Sequence, residues 1–202
     1  MNVQAHLLKK KPIDDIYLVS LIHQKRNQVK PKSQKSIKFI EELHKHIIKS
    51  PLLRQNVHNK NESQIQTELR PIIFNYMVKH FQNQNWKNPE NGAKKYFYWE
   101  GQEGRHTKIK TESFASRNYP DFIITNPYMI AIEYKKSGSG SIVKQGLGQS
   151  LMHTLGGEFD FVYCLIHDES QNKKIVKSIK NEKENIIIQK FWEYYNVYMK
   201  FL

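Results

Sequence analysis

Two short apolar runs joined by one turn constrain this chain more than any other feature. They are DFIIT (121–125) and YMIAIEY (128–134), linked through Asn126-Pro127. Each is too short for a stable helix and rich in β-branched residues, and an Asn-Pro step favours a turn, so the pattern predicts a hairpin of two core strands. The difficulty is charge. Asp121 opens the first run, while Glu133 and Lys135 stand at the end of the second. Side chains alternate faces along a strand, so Glu133 and Lys135 share one face, and Tyr134 and Lys136 point to the other. Asp121 on the neighbouring strand can complete a cluster of two acids and one lysine.

The remaining elements follow from periodicity. NESQIQTELRPIIFNYMVKHF, beginning at Asn61, predicts a helix with Asn61 as N-cap and Gln64 three places on; Pro71 is its weak point. QNQNWKNPENGAK is polar and has no clear period, and KYFYWEG is a strand candidate. EGQEGRHTKIKTESFASR reads as a loop or hairpin excursion. After the central hairpin, SGSGS predicts a flexible link. VKQGLGQSLMHTL then reads as a helix, DFVYCLIHD as a strongly apolar strand, the segment from Gln171 to Tyr195 as one or two helices, and NVYMKFL as a closing strand. The expected fold is α/β: a mixed central sheet flanked by helices, in the order α-β-β-β-α-β. Residues 1–60 differ in character. KSIKFIEELHKHIIKS has an apolar helical face, and QKRNQVKPKSQK reads as a basic linker. They suggest an N-terminal helical extension, a lid, dimerisation arm or basic clamp, ahead of a main domain at 61–202.

Composition narrows the partners. Thirty-two Lys and Arg oppose nineteen Asp and Glu, a formal net charge of +13, which favours a polyanionic partner and nucleic acid first. No apolar run is long enough for a transmembrane helix, and the N-terminus carries no secretory pattern. The single cysteine, Cys164, lies in an apolar run and has no disulfide partner, which suits a reducing, cytoplasmic setting. The histidines His106, His153 and His167 lack metal-ligand spacing among themselves, and there is no GxSxG elbow for serine hydrolysis.

Two carboxylates and an ammonium on one sheet face suit metal-assisted phosphodiester cleavage. The acids supply hard oxygen ligands for Mg²⁺ or Mn²⁺, and the lysine offsets charge on the reacting phosphate. Pro120-Asp121 followed by Glu133-x-Lys135 resembles the bipartite motif of the PD-(D/E)xK phosphodiesterase superfamily, which includes type II restriction endonucleases, Holliday-junction resolvases and RecB-type nuclease domains. The likeness covers about Asn61 to Asp168. It implies a restriction-endonuclease-like core in which Asp121 and Glu133 bind metal and Lys135 is catalytic. Relatives often add a glutamate from the first core helix. Glu62, in phase with Ile65, Leu69, Ile73 and Tyr76, is preferred here over Glu68 as a further metal-binding and catalytic residue.

The helix after the motif carries Gln145, Gln149 and His153 at four-residue spacing, similar to the glutamine-bearing helix of many relatives, with His153 where a tyrosine would stand. Gln149 is the candidate nearest the site. Lys136, Lys144, Gln145 and His153 are candidate nucleic-acid contacts. Gly146 and Gly148 weaken the helix but permit close backbone approach. The expected activity is divalent-metal-dependent endonucleolytic hydrolysis of DNA, with RNA also compatible and a homodimer as a possible assembly. The alternative is a nucleic-acid-binding module with a nuclease-like fold and no catalysis.

Overall fold

The computed structural model describes residues 32–53, 57–102, 111–113 and 116–202. Its helices are α1 (Gln34–Lys49), α2 (Glu62–Asn83), α3 (Pro89–Tyr96), α4 (Gly140–Gly156), α5 (Lys174–Ser178) and α6 (Glu182–Tyr195). Its strands are β1 (Phe97–Trp99), β2 (Thr111–Ser113), β3 (Ser116–Asn118), β4 (Phe122–Ile124), β5 (Ile130–Ser137), β6 (Phe161–Asp168) and β7 (Val197–Phe201). Five strands form one mixed sheet in the order β1-β4-β5-β6-β7; β2 and β3 make a separate two-stranded ribbon. β1, β4 and β5 are successively antiparallel, whereas β5, β6 and β7 run parallel. The long connections through α4 and through α5–α6 are what parallel neighbours require.

The sheet is covered on both faces. On one, Phe122, Ile132, Tyr134, Tyr163 and Leu165 pack with Phe39, Ile40, Leu43 and Ile47 of α1 and with Ile65, Leu69, Ile73 and Met77 of α2. On the other, Ile123, Ala131, Val162, Cys164 and Ile166 meet Val143, Leu147 and Leu151 of α4 and Ile188 and Phe191 of α6. β5 and β6 are buried on both faces, which is why their sequences read as near-continuous apolar runs.

α2 starts as its sequence predicts: the Asn61 side chain accepts from the Gln64 N–H, and the Gln64 side chain accepts from the Asn61 N–H, each at 2.9 Å. Pro71 lies inside α2 without ending it. Its ring is exposed, so the carbonyl it leaves without an N–H partner sits on the solvent side. Two expectations are corrected. First, α1 is not an appendage before residue 61: its apolar face shares one core with α2 and the sheet. Lys32, just ahead of it, donates to the Trp192 and Glu193 carbonyls and to Asn196 Oδ1 at 2.7, 3.0 and 2.8 Å, fastening the start of α1 to the end of α6. The rest of the expected extension, residues 1–31, lies outside the described residues. Second, the polar stretch before β1 contains α3, which buries only Gly92 and Ala93. Among the described residues no helix is long and apolar enough to cross a membrane.

Candidate active site

The β4–β5 register pairs Phe122 with Ile132 and Ile123 with Ala131. Continuing it one step sets Asp121 opposite Glu133, and by alternation both project to the α4 face. Asp121 is 7% exposed and Glu133 2%. Asp121 Oδ2 accepts the Tyr134 backbone N–H at 2.7 Å, which fixes the acid against the chain next to Glu133. Lys135, two residues along β5 on the same face, reaches Glu133 Oε2 at 3.7 Å and Glu62 Oε1 at 3.1 Å.

Glu62 arrives from another element. It is the first residue of α2, and its other oxygen, Oε2, accepts the Lys136 backbone N–H at 3.1 Å. Glu68 lies elsewhere, paired with Lys60 at 2.7 Å. Of the two candidate helix acids, only Glu62 joins the cluster. Each of its oxygens accepts one bond from β5, which places Glu62 beside Lys135 and next to the two β acids. His153 of α4 closes the other side: its Nε2 donates to Glu133 Oε1 at 2.8 Å.

The electrostatics follow from this crowding. Burial, then the neighbouring Glu133, pushes the Asp121 carboxyl well above the usual carboxylate range; Lys135 and the Tyr134 N–H only partly offset that. Burial would pull the Lys135 ammonium down, but Asp121, Glu133 and Glu62 together hold it above its ordinary value. Lys135 is therefore a permanent cation rather than a proton acceptor at neutral pH. With all three acids ionised, one lysine cannot balance them.

α4 is seated tightly on this chemistry. A Cβ added at Gly146 would stand 3.0 Å from Lys135 Cγ and 3.8 Å from Cys164 Sγ, whereas one at Gly148 would meet nothing within 4 Å. Only the first glycine is used for close approach. Gly146, Ser150 and His153 form the buried face of α4. Gln149 is half-buried beside them, and its Oε1 is buried with no hydrogen-bond partner among the described residues.

The surface candidates separate into two pairs. Lys144 and Gln145 are exposed on α4. Lys136 and His153 are not available as first supposed. Lys136 Nζ is tied to the Lys60 carbonyl at 2.6 Å and to Glu169 at 2.8 Å, on the face away from Lys135. His153 is 1% exposed and lies beneath Glu133, so its ring is closed off from the surface. Its place was readable in principle, because Gly146, Ser150 and His153 fall at i, i+4 and i+7. The Tyr134 N–H that fixes Asp121 has no signature in sequence, since every residue except proline carries one.

No group of three or more His, Cys, Asp or Glu side chains among the described residues has the spacing to hold a metal ion by itself. Mg²⁺ seldom asks for that: it is held by one or two carboxylates and keeps water or phosphate oxygens for the rest. Asp121 and Glu133, side by side on neighbouring strands, fit such an ion. So does the excess of buried acid over Lys135. Comparison with family models, with curated proteins and with solved structures gave no match to this chain.

Proposed function

We propose that this chain is a divalent-metal-dependent endonuclease that hydrolyses DNA phosphodiester bonds, built on a restriction-endonuclease-like core. One observation carries the reading: Asp121 and Glu133, both buried, meet Lys135 and Glu62 in one cluster at the sheet, drawn from separate parts of the chain. Leaving aside α3 and the separate β2–β3 ribbon, the order α2-β1-β4-β5-α4-β6 supports the core assignment, and the net charge of +13 supports a polyanionic substrate. Asp121 and Glu133 would hold Mg²⁺ or Mn²⁺. When bound, the ion acidifies a coordinated water and draws charge from the phosphate. Lys135, kept charged by its three acids, offsets the negative charge that builds on phosphate oxygens as the bond breaks. Glu62 holds the lysine in place through Oε1, and His153 orients Glu133. Gln149 supplies an amide oxygen to position water. Lys144 and Gln145 extend the substrate contact along the outer side of α4.

The test is incubation of plasmid, branched DNA, single strands and RNA with the protein in Mg²⁺, Ca²⁺ or EDTA. Cleavage is expected in Mg²⁺ alone. Asp121→Ala and Lys135→Ala should each lower it by about a hundredfold or more while leaving the fold intact. Undiminished cleavage in either variant refutes the assigned roles. Salt-sensitive binding with no cleavage of any substrate would instead identify a binding module.

A further inference from the structure

β4 is shorter than its neighbour. Its pairing with β5 ends at Phe122 against Ile132, yet β5 runs on to Ser137. N–H groups along one edge of a strand belong to every second residue, so Tyr134 and Lys136 point donors where β4 has ended. Two carboxylates take them. Asp121 Oδ2 accepts from Tyr134 at 2.7 Å, and Glu62 Oε2 accepts from Lys136 at 3.1 Å. The two acids differ in how they arrive. Asp121 directly precedes β4. Glu62 opens α2, so its place depends on where the first turn of that helix sits.

The Lys136 side chain bears on that place. It leaves β5 on the face opposite Lys135, and its ammonium donates to the Lys60 carbonyl at 2.6 Å, one residue ahead of the Asn61 cap of α2. The same ammonium pairs with Glu169 at 2.8 Å. Glu169 is fixed in turn, because its N–H donates to the Ser137 carbonyl at 2.7 Å at the end of β5. Lys60 is held as well: its N–H donates to the Val57 carbonyl at 3.1 Å and its ammonium to Glu68 at 2.8 Å. Lys136 thus grips the start of α2 twice, by side chain at Lys60 and by backbone at Glu62. Its side chain is 14% exposed, so the ammonium is spent on protein oxygens. Charge-assisted bonds to two fixed acceptors are among the stronger and more directional ones.

Taking the nuclease reading as its basis, we infer that Lys136 is a positioning residue for Lys135. With Glu169 it seats the first turn of α2 on β5. Glu62 then holds Lys135 from the helix while Glu133 holds it from the strand. Alternation divides the work of two consecutive lysines: Lys135 faces the reacting phosphate, and Lys136 sets the acid that aligns it. A shift of about 1 Å in such a group costs roughly a hundredfold in rate.

Lys136→Met keeps most of the stem and removes the charge. It should slow single-turnover cleavage in Mg²⁺ by about tenfold to a hundredfold. DNA affinity in Ca²⁺, read by fluorescence polarisation, should stay within about twofold and keep its salt dependence. Lys136→Arg, which keeps the donors, should recover most of the rate. In a Glu62→Ala background Lys136→Met should add no further loss, because both act through one acid. An unchanged rate in Lys136→Met, or losses that multiply in the double variant, would overturn the inference. So would weaker DNA binding with a salt slope reduced by about one, which makes Lys136 a phosphate contact. If Lys136→Met fails to fold, Glu169→Gln carries the same test, with a several-fold loss that Glu62→Ala abolishes.

Hydrogen exchange separates this role from the nuclease reading. Relative to the Ile132 amide deeper in β5, the residue-136 amide should exchange about tenfold faster in Lys136→Met and Glu169→Gln than in wild type. Faster exchange in a protein that cleaves nothing removes the nuclease and keeps the clamp. Unchanged exchange in a protein that cleaves DNA removes the clamp and keeps the nuclease.

Discussion

The two faces of β5 are built from the same eight residues and could hardly differ more. Towards α1 and α2 the strand presents Ile130, Ile132 and Tyr134 to a dry, aromatic-rich core. Towards α4 it presents Ala131, Glu133 and Lys135, backed by Cys164, Gly146 and His153. One face is large, apolar and closely filled. The other uses small residues to make room for charge. The contrast teaches that the stability needed to confine three acids and a lysine is supplied largely from the opposite side of the same strand. A face that holds charges together in advance of a ligand gives up stability of its own.

The largest effect expected from breaking that contrast is on rate. Asp121→Asn keeps an oxygen for the Tyr134 N–H but removes a carboxyl that burial and Glu133 disfavour. It should cut Mg²⁺-dependent cleavage about a thousandfold while raising the thermal midpoint, measured by plasmid nicking and by circular dichroism melting. A midpoint that falls would show that the charged face does not oppose folding. On the dry face the signs reverse. Leu43→Ala, in a fully buried position of α1, should destabilise by about 3 kcal/mol in urea unfolding. A loss near zero would return α1 to the status of an appendage.

The glycines of α4 sharpen the comparison at smaller scale. Gly148→Ala points into open space and should stabilise by about 1 kcal/mol through helix propensity. Gly146→Ala meets Lys135 Cγ, and that lysine is pinned by Glu62 and Glu133, so the same gain should be cancelled and cleavage should drop. Paired urea melts and initial rates would separate the two. The smallest effect concerns pH. Burial, then Lys200 and Lys45, lowers the His44 imidazole to about 4, and its Nδ1 lies 2.8 Å from the Tyr163 hydroxyl. The unfolded chain, titrating at the ordinary value near 6.5, binds more protons between those two pH values. Stability should thus be complete above that value and decline as pH falls towards 4. Because His44 is only half-buried, the expected decline is about 1 kcal/mol. The urea midpoint of wild type should fall between pH 7 and pH 5, and that of His44→Gln should fall less.

Much of this was legible beforehand, for identifiable reasons. The strands that build the sheet announce themselves by β-branched runs, and α2 by its cap and period. Alternation alone separates Lys135 from Lys136. What escaped was tertiary. α3 buries two small residues and leaves almost no apolar stripe; its readable signals were Asn88 as cap and Pro89 at the first helical position. α1 looked detachable because a basic stretch precedes it, yet its apolar face has no other place to go than the sheet. Glu62 and His153 each found partners many residues away, and which of several polar groups would do so depends on packing that no local window contains.

Lys32 has a last consequence. Its ammonium caps the carbonyls at the end of α6 and lies 4.9 Å from the Trp192 ring centroid, while its backbone leads straight into α1. The start of α1 is thereby buckled to the end of α6 without a covalent link. Such a clasp is reversible and charge-dependent. Acetylation of that one amine would unfasten the two helices from each other and leave the acids on β5 untouched.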